Sequence, residues 1–137
     1  MSNLRTAVFA TLLGALALPS AAMAKPPLGE VREIHDGLLA VGIADEIRNR
    51  CDDISARMLT AMGTLHALKK RARALGYSNE EIEDYVTSKA EKKKMRAEGV
   101  AYMAARGVTA DDTAGLCRVG REEIARGSAI GALLREK

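Results

Sequence analysis

The sequence predicts an all-α protein: a compact bundle of five to six short helices with one disulfide, following an N-terminal signal peptide and an extended leader. Three observations carry this. Apolar residues recur at intervals of three and four through most of the chain, and no alternating strand pattern of useful length appears. Serine, aspartate and glycine punctuate that periodicity where helices should begin and end. Two cysteines, Cys51 and Cys117, are the only ones in a chain of 137 residues, which has room for one domain.

The amino end comes first. Met1 to Arg5 carries one positive charge, and an uncharged run from Ala7 to Leu18 follows, ended by Pro19. Ala22-Met23-Ala24 offers small residues at the two positions a signal peptidase must accommodate. This is the layout of a secretory signal peptide over residues 1–24, with cleavage expected between Ala24 and Lys25. A membrane anchor is the competing reading, but the run is about a dozen residues where a spanning helix needs roughly 20. The expected product is periplasmic or secreted, with no transmembrane segment.

Arg5 leaves with the signal, so a whole-chain charge of +3 falls by one, too little to imply an anionic partner. The one Phe, Phe9, leaves too, and there is no Trp. The core must be built from Leu, Ile, Val, Met and Ala, which is workable but thin at this length.

Lys25-Pro26-Pro27-Leu28-Gly29 cannot start a helix, so residues 25–37 read as an extended leader and 38–137 as a single helical domain. From about Leu38, the positions Ala40, Ile43, Ile47 and Cys51 line one helical face. Asp52 or Asp53 can cap the next helix, whose stripe runs Ile54, Met58, Met62, Leu65, Leu68, Ala72 and Leu75 before Gly76 ends it. Ser78-Asn79-Glu80-Glu81 fits a capping box, and Ser88-Lys89-Ala90-Glu91 fits a second. These predict a short helix over 79–87 and another over about 89–106, stopping at Gly107. Thr109 or Asp111 then caps a fifth helix, with Leu116, Val119, Gly120 and Ile124 facing inward and Cys117 alongside. A last helical segment follows Gly127-Ser128, with Ile130, Leu133 and Leu134 apolar.

A pair of cysteines in an oxidising compartment is most simply a disulfide. It would close a loop of about 65 residues, worth roughly 4 kcal/mol in the chain-entropy model. A redox or metal pair is the competing reading; there is no C-x-x-C, and neither His35 nor His66 stands at a ligand-like spacing from either thiol.

Four stretches, AKPPL at 24–28, LGYSNEEIEDYV at 75–86, EKKKMRAEGVAYMAARGV at 91–108 and REEIARGSAIGALLR at 121–135, carry a resemblance. The chain resembles an uncharacterised family of small secreted, periplasmic helical proteins from bacteria, classed as a domain of unknown function. The resemblance implies secretion and an all-helical fold, and places the two cysteines where the family has its pair. It carries over no catalytic or binding residue.

Lys92, Lys93, Lys94 and Arg96 form the sharpest charge feature and are the candidate contact surface. Successive helical residues diverge by about 100°, so three adjacent lysines spread round the helix instead of forming a groove. No exposed aromatic ladder stands beside them for base stacking, and a periplasmic address also counts against nucleic acid. A solvated helix face is the favoured reading. Lys69, Lys70, Arg71 and Arg73 complement the negative end of the second helix.

Carboxylate pairs occur at Asp52-Asp53, Glu80-Glu81, Asp111-Asp112 and Glu122-Glu123. Glycoside cleavage needs two acids facing each other across a cleft about 5–9 Å wide, which neighbours on one helix do not provide. Asp112 to Glu123 has the length of a calcium loop but puts Ala114, Leu116 and Cys117 at positions that need ligands and glycine. No nucleophile motif, catalytic residue, metal site or cofactor is indicated. Met58, Met62, Met95 and Met103 read either as core filling or as an adaptable groove for a partner, and core filling is preferred.

By elimination, the expected function is a non-enzymatic periplasmic interaction or accessory protein; the sequence does not identify its partner, for which an envelope protein is the candidate. The alternatives are an acid-stress or holdase chaperone, which acid would loosen to expose its Met-rich interior, and a cell-wall-active hydrolase.

Overall fold

The computed structural model describes residues 24–137. All but the last residue of the expected signal peptide lies outside the described residues. Five helices make up the body: α1 (Arg32–Arg50), α2 (Met58–Ala74), α3 (Asn79–Thr87), α4 (Lys89–Ala104) and α5 (Thr113–Arg126). Two short strands, β1 (Ile54–Ala56) and β2 (Leu134–Glu136), pair antiparallel with Ile54 opposite Glu136 and Ala56 opposite Leu134.

α1 is the central helix, and α2, α4 and α5 pack around it. Its buried side, Ala40, Ile43, Ala44 and Ile47, meets Met103 of α4, Leu116 and Val119 of α5, and the carboxy-terminal Ile130, Leu133 and Leu134. Cys51, directly after α1, is bonded to Cys117 of α5, with the Cα atoms 5.3 Å apart. The pairing expected from two lone cysteines is therefore present.

A second, smaller cluster of Leu28, Ile34, Ala72, Tyr77 and Ile82 ties the leader to the α2–α3 corner. There the Tyr77 hydroxyl donates to the Pro26 carbonyl at 2.5 Å. Lys25 Nζ donates to the Gly76 carbonyl at 2.6 Å and pairs with Glu81 at 3.0 Å.

Several expectations need correction. The first helix starts at Arg32, not near Leu38, and among the described residues the leader before it is 24–31, with a 3-10 turn at Leu28–Glu30. Ile34 and Leu38 extend the apolar face of α1 toward its amino end, and burial of Ile34 beneath the leader outweighs the weak helix preference of His35-Asp36-Gly37. Asp52 and Asp53 cap nothing. They sit in a turn into β1, so Ile54 is buried as a strand residue, and α2 starts after Arg57 with no side-chain cap.

The last segment is likewise a 3-10 turn at Gly131–Leu133 and then β2, not a helix. Strands of three residues are too short for alternation to show in the sequence. α5 is capped by Asp112, whose carboxylate accepts from Gly115 N at 2.8 Å, and not by Thr109 or Asp111. The first capping box is complete. At Ser88, the hydroxyl accepts from Glu91 N at 3.2 Å without the reciprocal bond.

Candidate functional site

α2 carries the apolar stripe read from the sequence, yet only Ala72 of that helix is buried. Its contact with the body is narrow. Ala61 meets the main core, and Leu68 sits where a Cβ on Gly37 of α1 would come within 2.7 Å of it. Held on so slim an edge, α2 leaves its broader apolar side uncovered: Met58 is 54%, Met62 62% and Leu59 87% exposed.

The result is an apolar groove of about 360 Å³. Leu38, Val41 and Gly42 of α1 form its floor, and Met58, Met62 and Leu65 of α2 form one wall. Tyr85 and Val86 of α3, with Lys92 and Met95 of α4, form the other. Gly42 leaves the floor open, since a Cβ there would meet nothing within 4 Å. Flexible thioethers on both walls let such a surface adapt to differently shaped occupants.

Charged groups occur along the rim. Asp45 accepts from Arg48 Nε at 2.8 Å and from Asn49 at 3.1 Å, while Lys92 has no ion pair among the described residues. The Tyr85 hydroxyl is buried without a hydrogen-bond partner, and burial, with Glu91 and Glu98 nearby, pushes its pKa up. His35 Nε2 lies 2.5 Å from Glu98. Among the described residues, no three His, Cys, Asp or Glu side chains come together to hold a metal ion. The arrangement offers a surface that can bind apolar matter.

The model of a family of unknown function, DUF5333, matches residues 26–135. The chain belongs to that family. No curated protein and no solved structure matches this DUF5333 chain.

In this DUF5333 protein the basic run divides. Lys93, Lys94 and Arg96 are exposed on α4, and of the four candidate contact residues Lys92 alone lines the groove, one turn from Met95. The second basic cluster is partly engaged, Arg71 with Glu33 at 2.8 Å and Arg73 with Asn79 at 2.7 Å. The paired acids also separate. Glu81 is held below the ordinary glutamate range by the Ser78 backbone amide and by Lys25, and Asp53 pairs with Arg121 at 3.0 Å.

The preference for a methionine core is overturned at Met58 and Met62, which are exposed groove wall; Met103 alone of the four is fully core. One signal could have revealed this. Met58, Leu59, Ala61, Met62 and Leu65 make an apolar arc wider than one helix contact covers, in a chain short of large residues to cover it.

Proposed function

We propose that the protein is a non-enzymatic interaction protein of the cell envelope, and that it acts through the apolar groove between α1, α2 and the α3–α4 pair. The observation that carries this is the exposure of Met58, Met62 and Leu65 as a contiguous wall facing a second apolar wall. Large exposed apolar patches mark binding surfaces. The envelope address draws support from the Cys51–Cys117 disulfide, a bond that persists in oxidising compartments, together with the signal-peptide layout. Among the described residues no helix is long and apolar enough to cross a membrane.

The test is a photo-crosslinking amino acid placed at Met62 in one strain and at Lys93 in another. A dominant crosslinked species from Met62, absent from Lys93 and abolished by Gly42→Leu, is the expected result. Equal, diffuse labelling from both positions would remove the reading.

An acid-stress chaperone is a second reading, and Glu123 is what favours it. This buried carboxylate is held below the ordinary range, so strong acid would protonate a charge network beside the core. Dye binding and suppression of client aggregation appearing only near about pH 3 would single it out. The hydrolase finds no support in the groove, where Asp45, one of the two acids, is already bonded to Arg48 and Asn49.

A further inference from the structure

We propose that the outer face of α2 docks on a lipid bilayer that carries anionic phospholipid. The inference shares the envelope address proposed above, but it concerns the convex side of the helix and leaves the groove's own occupant open to a protein.

α2 is held to the body by a narrow edge of Ala61, Leu68 and Ala72. At 100° per residue, Met58, Leu59, Met62 and Leu65 fall with Lys69, Lys70 and Arg73 in one arc of about 140°, which begins beside that edge and runs round to the far side of the helix. All seven side chains are exposed. The four apolar residues occupy the first half of the helix and the three cations the second. An apolar end and a cationic end therefore follow one another along a stripe about 22 Å long.

The whole-chain charge of +3 conceals how uneven this surface is. α2 contains four bases and no acid. Arg71, on the other flank, pairs with Glu33, and Arg73 donates to the neutral Asn79 side chain. Lys69, Lys70 and Arg73 have no carboxylate partner among the described residues, and the nearby α3 acids Glu80, Glu83 and Asp84 are bonded to none of them. Complementing the helix end accounts for bases near Ala74, but not for their standing in line with exposed Leu59 and Met62. Across the groove, Lys92 is also exposed without an ion pair among the described residues. Asp45 is already bonded to Arg48 and Asn49, which leaves Glu91 as the one lining acid without such a pair. Four free cations thus stand against one free acid.

Exposed apolar side chains joined to unpaired cations match a bilayer surface, where the first enter the acyl boundary and the second meet the phosphates. The shape fits too. Leu59 is almost fully exposed, and a Cβ on the neighbouring Gly63 would meet nothing within 4 Å, so the two form a crest with no pocket around it. A deformable plane can receive such a crest. Protein partners concentrate their binding in pockets filled by aromatic or arginine anchors, and the arc holds no aromatic residue. The same lack counts against single-stranded nucleic acid.

Vesicle co-sedimentation tests this on protein expressed from the whole sequence, purified from the envelope, with its mass recorded. One set of vesicles is phosphatidylcholine alone, and the other is an equal mixture of phosphatidylcholine and phosphatidylglycerol. The expected result is binding to the mixed vesicles that is much weaker on the neutral ones and falls as salt is raised. A cation near an anionic surface is worth about fivefold in affinity, so replacing Lys69 and Lys70 together by Gln should weaken binding about 25-fold. The same double replacement at Lys93 and Lys94, which removes equal charge, should cost about threefold or less, because those side chains stand off the stripe. Leu59→Glu should weaken binding by about tenfold or more. It should leave helicity and the urea midpoint unchanged, since Leu59 is exposed in the free protein.

No binding to the mixed vesicles overturns the inference, as does equal binding to both kinds or equal loss in the two lysine double variants. Should vesicles fail while Met62 still crosslinks a protein, the groove reading stands without this one. If that crosslink also weakens when Lys69 and Lys70 are replaced, the face belongs to an acidic protein instead of lipid. Vesicle binding as expected with no protein crosslinked from Met62 removes the groove reading and keeps the lipid surface.

Discussion

Glu123 of α5 accepts hydrogen bonds from the Tyr102 hydroxyl of α4 and from Arg126, and is only 1% exposed. Arg106 stacks over the Tyr102 ring, 3.5 Å from its centroid, and its Nε lies 3.8 Å from the same carboxylate. A short stretch of sequence thus pins the end of α4 to α5 through one buried charge.

That charge gives stability a pH dependence with a definite sign. Burial alone pushes the Glu123 carboxyl up, but the hydrogen bonds from Arg126 and Tyr102 and the Arg126 charge outweigh it and hold it below the ordinary value. A group lowered by folding stabilises the protein above its unfolded pKa, about 4.3 for glutamate, and loses that contribution as pH falls through the folded value. Glu123→Gln should therefore cost about 1–3 kcal/mol at neutral pH and flatten the loss of stability on acidification. Urea unfolding of both proteins from neutral pH downward checks this, and parallel pH profiles would refute it.

The disulfide prediction is independent of pH. Cys51 and Cys117 are 66 residues apart in sequence, so cutting the bond restores a large amount of unfolded-chain freedom. In the chain-entropy model the double replacement by Ala should lower stability by about 4 kcal/mol. The buried Cys51 side chain adds a packing loss to that. Thermal unfolding of the double variant beside wild type measures the sum; a midpoint unchanged within error would exclude a structural role for the bond.

Local signals were legible where one residue's chemistry decides the outcome. Ser78 with Glu81, Gly107 with its φ of 72°, and the apolar face of α1 from Ala40 to Cys51 could all be read directly. Pairing between distant segments could not. Ile54 belongs to a strand because Leu134 to Glu136 lies beside it, a contact separated by about eighty residues that no local period records. The same limit explains the groove. The sequence marks Met58, Met62 and Leu65 as apolar, but whether they are covered depends on how closely α2 approaches α1, and Gly37 beneath Leu68 sets that contact. Glu123 stood in the sequence as one half of a carboxylate pair, and only the fold brings Tyr102 to it.

Two glycines should resist substitution to different degrees. A Cβ on Gly131 would lie 1.9 Å from the Glu123 carbonyl oxygen, a backbone atom that cannot move without disturbing the end of α5. On Gly120 the nearest atoms, Ile54 Cδ1 at 2.5 Å and Ile47 Cγ2 at 2.8 Å, belong to side chains, which can give by a small repacking where a backbone oxygen cannot. Gly131→Ala should thus cost about 3 kcal/mol or more, and Gly120→Ala about 1–3 kcal/mol. Chemical denaturation ranks them, and the reverse order would show that the carboxy-terminal turn yields more easily than the core.

The two serine caps give a matched comparison. Ser78 accepts from Glu81 N at 3.1 Å while Glu81 accepts from Ser78 N at 2.6 Å, so two amide donors at the start of α3 are satisfied at once. Lys25 adds a charge contact to the same carboxylate. Ser88 satisfies one donor only, through Glu91 N. Removing the hydroxyl breaks one cap bond in each case, but at Ser78 it also loosens a carboxylate that anchors the leader. Ser78→Ala should therefore cost about 1–2 kcal/mol and Ser88→Ala about 0.5–1 kcal/mol. Amide hydrogen exchange should show faster opening of the α2–α3 corner and of the leader in Ser78→Ala, while Ser88→Ala affects only the first turn of α4. Equal destabilisation, with the leader equally protected in both, would mean that Lys25 and Tyr77 hold the leader without help from the capping box.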